Sequence, residues 1–226
     1  MSLYAWLMLF SFVGPLLLSF DKKVAFYRWW PSLFLGIGLN LILFVLWDSW
    51  FTKTGVWSFN PSYVWPSRIL ELPLEEWAFF IVVPYASIFI YACLKAYLSD
   101  AWWQPKVRSI NYFFIAWCLL NILFFSDRTY TVVNYSLALL ILLAQQFWIK
   151  GKYMGYFWFA YFIHLIPFFI INGILTGAAT PTPVVLYNSD EIIGIRLYTI
   201  PIEDTIYALT CLLIPISVLE YFREKK

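Results

Sequence analysis

The chain has 226 residues, of which 62% are hydrophobic, 23% aromatic and only 12% charged, with a mean hydropathy of +0.74 and a net charge of +2. A soluble domain is typically about a quarter charged, so this composition excludes an ordinary water-soluble enzyme and predicts an all-α integral membrane protein. The small net charge excludes a nucleic-acid partner.

Seven apolar runs are predicted as spanning helices, at about 3–20, 31–51, 74–97, 110–125, 131–149, 156–175 and 202–222. No Lys or Arg precedes the first run, and Lys22, Lys23 and Arg28 follow it, the reverse of a secretory signal. It is therefore expected to remain as the first span. The fourth run, about sixteen residues, is close to the lower limit for crossing a bilayer. Pro15, Pro84, Pro167 and Pro215 fall inside runs, where spanning helices tolerate proline and bend at it. Cys93, Cys118 and Cys211 also lie in apolar runs, with no CxxC pair and no metal-ligand spacing, and read as buried small hydrophobes.

On alternate sides of these runs the cations divide unequally. One side holds Lys53, Arg68, Arg128 and Arg196; the other holds Lys22, Lys23, Arg28, Lys95, Lys106, Arg108, Lys150, Lys152, Arg223, Lys225 and Lys226. The positive-inside rule places the second side in the cytoplasm, with the N-terminus outside and the C-terminus inside. A multi-pass protein of the cell (inner) membrane is expected.

The chain contains one stretch twice. A shift of 128 residues lays 58–76 on 186–204 without a gap. Asn60 falls on Asn188, Arg68 on Arg196, Pro73 on Pro201 and Glu75 on Glu203, and six further pairs are chemically similar, Glu76/Asp204 among them. An internal repeat governs the reading of a whole fold. The same shift maps spans 1, 2 and 3 onto spans 5, 6 and 7 and leaves span 4 unmatched. A three-span unit ends on the side opposite its start, so one extra crossing lets the second unit run parallel to the first. The expected organisation is a first three-helix repeat at 1–98, a linker helix with its flanking loops at 99–128 and a second three-helix repeat at 129–226. Both repeated loops then open to the outer face, where a composite site between the halves becomes possible.

Each copy ends in two adjacent acids at the mouth of an apolar helix. Pro73 before Glu75 and Glu76, and Pro201 before Glu203 and Asp204, also fit a plain helix start, with proline at the first position and acids in the first turn. The recurrence of the acids at one offset from Asn and Arg, and the cost of ionisable groups in apolar helices, favour function. Proton transfer is the chemistry such a site offers. Neighbouring positions on a helix differ by about 100°, so if Glu75 faces the bundle, Glu76 points aside or back to the loop. Burial and a second carboxyl favour the protonated form of an acid and a nearby Arg favours the ionised form, which makes Arg68 and Arg196 candidates for tuning an acid and a base apart.

The Pro-Leu-Glu-Glu opening of a helix at Pro73, followed by Phe79-Phe80 and preceded by Gly55-Val56-Trp57-Ser58-Phe59-Asn60-Pro61, resembles the membrane-embedded lycopene cyclase domain family. In that family each of two small bacterial subunits carries one three-helix unit, and archaeal, some bacterial and fungal members fuse the two; this chain resembles the fused form over its whole length. The second motif, Ile202-Glu203-Asp204-Thr205, has Asp for the second Glu and Tyr207-Ala208 where the Phe pair stands, so the resemblance rests first on Glu75 and Glu203. It implies cyclisation of lycopene to β-carotene through the one-ringed γ-carotene, without net redox change, with Glu75, Glu203, Glu76 and Asp204 as the catalytic acids. Lycopene, its carotenoid intermediates and membrane lipid are the implied partners, together with other enzymes of the carotenoid pathway.

Soluble lycopene cyclases carry a dinucleotide fingerprint. Here the only Gly-x-Gly, Gly36-Ile37-Gly38, lies inside span 2 with Leu41 where a third Gly belongs, so no flavin or nicotinamide cofactor is expected, and no metal. Trp57, Trp65, Trp77, Phe79 and Phe80 cluster near the first motif; Phe79 and Trp77 are candidates for stabilising a cation through their faces, and most of the remainder fit an interfacial belt. Asp48, near the outer end of span 2, is placed to bind Arg68. The single His164 reads as a hydrogen-bonded packing residue, and Asn40, Asn121, Asn134, Gln145, Gln146 and Asn172 as interhelical glue. A retinal protein would need a lysine in mid-span 7, and there is none. A magnesium-dependent prenyltransferase would need a further acid one turn away. A transporter or carotenoid-binding protein is the rival from another class, although transporter sites lie near the midplane.

Overall fold

The computed structural model describes residues 1–99 and 103–223. Lys225 and Lys226, counted above as cytoplasmic, lie outside the described residues, as do residues 100–102 of the linker segment. Among the described residues seven α-helices form where the apolar runs predict them: α1 (Leu3–Leu18), α2 (Trp30–Thr54), α3 (Leu74–Tyr97), α4 (Val107–Phe124), α5 (Thr129–Ala144), α6 (Met154–Leu175) and α7 (Glu203–Arg223). Six, from α2 onward, are long and apolar enough to cross a membrane once the short helical turns that extend α2, α4 and α5 are counted. The protein is thus an all-α membrane protein. The short helix is α1, at sixteen residues, and not the fourth, which an extra turn at Gln104–Lys106 lengthens to twenty-one.

Local chemistry sets the ends. Ser2 accepts the Ala5 N–H at 3.1 Å and starts α1. Gly55, at φ 79°, stops α2 in the left-handed conformation that glycine adopts without strain. Pro73 is extended (φ −65°, ψ 154°) and stands just before the first helical residue of α3, one position earlier than expected, because it still belongs to a strand.

The loops that carry the repeat fold alike. In the first, β2 (Arg68–Ile69) pairs with β3 (Leu72–Pro73), with Arg68 opposite Pro73; in the second, β5 (Arg196–Leu197) pairs with β6 (Ile200–Pro201), with Arg196 opposite Pro201. A third ribbon joins the halves. Strand β1 (Trp57–Phe59) runs antiparallel to β4 (Val185–Tyr187), pairing Trp57 with Tyr187, Ser58 with Leu186 and Phe59 with Val185. The 128-residue shift exchanges the two outer pairs and leaves the Ser58–Leu186 pair in place. Flanking bonds obey the same exchange: Asn60 N–H donates to Val184 C=O at 2.8 Å, and Asn188 N–H donates to Val56 C=O at 2.9 Å.

Helix packing repeats the pattern. Helices α1 and α2 lie against α3, α5 and α6 lie against α7, and across the halves α2 meets α7 while α3 meets α6. The α2–α7 contact is close at Gly36, where an added Cβ would sit 2.7 Å from the Pro215 carbonyl oxygen, so this glycine packs one helix on another. Helix α4 lies mainly against α5. Far from the repeated loops, Lys95 of α3 and Glu220 of α7 pair at 2.9 Å.

Candidate active site

The four acids at the starts of α3 and α7 are all buried, yet they face two ways. Glu75 and Glu203 turn back to their own loops. Glu75 Oε1 accepts the Trp65 N–H at 2.8 Å, and Glu203 Oε1 accepts the Ile193 N–H at 2.6 Å, ten residues upstream in both repeats. Each also takes a hydroxyl, from Ser2 on Glu75 and from Thr131 at 2.9 Å on Glu203. In both, the second oxygen, Oε2, has no hydrogen-bond partner among the described residues. Each of these glutamates therefore holds a loop onto the helix that follows it.

Glu76 and Asp204 face inward, into one cavity between the halves, which Asp48 also lines. Tyr4 donates to Glu76 at 2.7 Å, and the Glu76 carboxyl is in hydrogen-bonding contact with that of Asp48, which accepts from Tyr207 at 3.0 Å. Asp204 accepts three bonds: from Tyr130 at 2.6 Å, Asn172 at 2.8 Å and Tyr187 at 2.9 Å. Burial, and then the adjacent Asp204, push the Tyr187 phenol well above its ordinary range, so it stays protonated and keeps donating.

Aromatic rings close the chamber. Trp57 meets Tyr130 edge-on at 5.2 Å between ring centres, Tyr207 meets Trp47 at 5.3 Å and Phe44 at 4.9 Å, and Phe59, Phe79 and Phe168 line it beside Leu175 and Val185. Ring faces of this kind attract a cation.

Several expectations change. Arg68 and Arg196 lie exposed on the hairpins, where they donate to the Glu71 and Thr199 carbonyls at 3.4 and 2.6 Å and lie over the Phe59 and Tyr187 rings; among the described residues no ion pair joins either to an acid of the site. Asp48 consequently binds Tyr207 and not Arg68, since a buried helix position does not reach the exposed hairpin. Asn60 and Asn188 each accept the backbone N–H two residues on at 3.0 Å and initiate turns. Trp77 stays outside the cavity, donating to the Ile69 carbonyl at 3.2 Å. Asn172 of α6 does join a neighbouring helix, at Asp204 of α7, and that partner is a catalytic candidate; Asn121 instead bonds within its own helix to Trp117. His164 does pair with Ser87, at 2.8 Å, as a packing residue would.

Sequence reasoning missed Tyr4, Tyr130, Tyr187 and Phe168. The two first-helix tyrosines escape an ungapped comparison because the 128-residue shift sets Tyr4 on Val132; only their shared place at the starts of α1 and α5 hints at a common role.

The family model described as lycopene cyclase matches residues 1–94 and 127–222, most of the chain and both halves of the cavity. The chain belongs to the lycopene cyclase family. The stretch left unmatched, 95–126, is occupied largely by α4, which contributes nothing to the chamber. No curated protein and no solved structure matches the chain. Membership indicates a carotenoid cyclase, an enzyme whose substrates are themselves bilayer hydrocarbons, in keeping with a chamber at the end of apolar helices.

Proposed function

We propose that the protein is a lycopene β-cyclase that converts lycopene to β-carotene by way of γ-carotene, by acid/base chemistry within the membrane and without a cofactor. One observation carries the reading: three carboxyl groups from both halves, Asp48, Glu76 and Asp204, meet in a single buried chamber walled by aromatic rings.

The reaction adds a proton to the terminal double bond of the polyene. The resulting tertiary cation is attacked by the next double bond, which closes a six-membered ring, and a proton then leaves the ring carbon to give the β end group. Protons and electrons balance. Two carboxyl groups in hydrogen-bonding contact need a proton on one of them, so the Asp48–Glu76 pair is the natural donor. A carboxyl that accepts three hydrogen bonds suits the ionised form, so Asp204 is the base and the counter-charge for the cation. Tyr4, Tyr130 and Tyr187 hold the acids in place, and Trp57 and Tyr207 face the cation. Glu75 and Glu203 position their neighbours by pinning the loops.

The membrane arrangement completes the proposal. Two parallel three-helix repeats, 1–98 and 129–226, flank a linker helix within 99–128, all seven helices cross the inner membrane, and the acids sit near the outer face. Lys95 and Arg223, at the opposite ends of α3 and α7 from the acids, then lie on the cytoplasmic side.

Expression in a lycopene-producing bacterium tests the activity directly. Red colonies should turn yellow-orange and extracts should contain β-carotene. Colonies that stay red while the protein is inserted in the membrane overturn the assignment and leave a binding or transport role.

A further inference from the structure

A second cavity, of about 320 Å3, lies along α1, α3 and α6. Phe10 and Pro15 of α1, Val83 and Ala86 of α3, and Pro167 and Ile171 of α6 form its walls. It shares Phe79, Phe168 and Asn172 with the acid chamber, so the two spaces touch at a threshold of two phenylalanines. Its outer edge is open: Phe10 is 70% exposed and Ile170 60%, on the outward faces of α1 and α6. Pro15 and Pro167 sit inside α1 and α6, where each removes a helical hydrogen bond and lets its helix bend.

The walls carry no Asp, Glu, Lys or Arg, and their polar side chains, Ser11, Ser87, His164 and Asn172, already bond within the protein. Ser11 donates to the Leu7 carbonyl at 2.8 Å, Ser87 pairs with His164 at 2.8 Å, and Asn172 donates to Asp204. An occupant therefore finds apolar surface and no head-group contact, as suits a pure hydrocarbon. The acid chamber encloses only about 40 Å3, too little for more than the tip of a polyene.

We infer that this groove is the track for the polyene chain: one end of lycopene slips sideways out of the bilayer between α1 and α6, past Phe79 and Phe168, and its terminal double bond reaches the acids while the chain lies along Val83, Ala86 and Ile171. This rests on the cyclase reading and adds where the substrate lies. From Phe79 to Ile90 the groove follows α3 for about 16 Å at 1.5 Å per residue, roughly half of a ~30 Å hydrocarbon core. A polyene long enough to cross the bilayer is held over one half and leaves its other end in lipid. Each pass thus closes one ring, and γ-carotene must back out and turn round before the second.

The test places a cysteine in the groove. Ala86→Cys in a Cys93→Ala, Glu76→Gln background, reconstituted in phosphatidylcholine vesicles, is labelled with a lipid-soluble maleimide with and without lycopene. Lycopene should slow labelling at least ten-fold, whereas Ile42→Cys, on a lipid-facing position that is 61% exposed, should be unaffected. Equal labelling with and without lycopene, or equal slowing at both positions, overturns the groove. So does labelling already blocked by phosphatidylcholine alone, which would make the occupant a lipid tail. Ala86→Trp in the otherwise unaltered protein should cut lycopene conversion at least ten-fold; full conversion also overturns it. Protection of Ala86→Cys by lycopene, together with no β-carotene from the unaltered protein, fails the cyclase reading and not the groove.

Discussion

Glu75 and Glu76 are neighbours on one helical turn, and the hundred-degree step between them sends one to the loop and the other to the chamber. The identical pair of the repeat, Glu75 and Glu203, does the pinning, and the pair that varies, Glu76 and Asp204, faces the substrate space. Replacing Glu76 with Gln or Asp204 with Asn should lower cyclisation at least ~100-fold, the usual weight of a general acid or base, measured as β-carotene formed by membranes supplied with lycopene. Glu75→Gln keeps a carbonyl oxygen for the Trp65 N–H and should retain most activity; Glu75→Ala leaves that N–H unpaired and should cost about 1–3 kcal/mol in stability, read from thermal unfolding in detergent. Loss of activity in Glu75→Gln equal to that in Glu76→Gln would reverse these roles. The doubled acids were legible in the sequence because an ungapped shift shows them. Which acid faces inward was not, because the choice depends on a backbone N–H ten residues upstream that only the folded loop brings within 3 Å. The tyrosines were hidden for a related reason: they arrive from first helices whose offset departs from the repeat by two residues.

At the scale of the element, the hydropathy runs located all seven helices to within a few residues, since a spanning helix is set by length and apolarity. The loops were harder to read. Their short hairpins turn on residues that rarely turn: Leu70 and Glu71 lie at φ 52° and 64°, and Tyr198 at 63°, a region costly for side chains other than glycine. Glu71→Gly should therefore raise stability by about 1 kcal/mol, seen as a higher midpoint in a detergent melt with cyclisation unchanged. A contrasting outcome is expected at Gly36. Gly36→Leu pushes α2 off Pro215 of α7 and should cost about 1–3 kcal/mol, with a lower melting midpoint and weaker activity, because that contact joins the two halves around the chamber.

At the scale of the molecule, both halves of the chain line a single chamber. Asp48 has Thr176 as its counterpart and Tyr207 has Phe79, so the two halves contribute different groups to a shared space. Glu76→Gln and Asp204→Asn should each stop both ring closures, with neither variant accumulating γ-carotene; a variant that piles up the one-ringed compound would indicate separate sites. Turnover in deuterated water should leave one deuterium per ring, and unlabelled product would exclude an exchangeable acid. The ribbon of β1 and β4, which crosses from one half to the other at Ser58 and Leu186, has a further consequence. A chain severed between α3 and α4 would not come apart: the two fragments, still handclasped above the chamber, should migrate together through a sizing column and go on turning red membranes yellow.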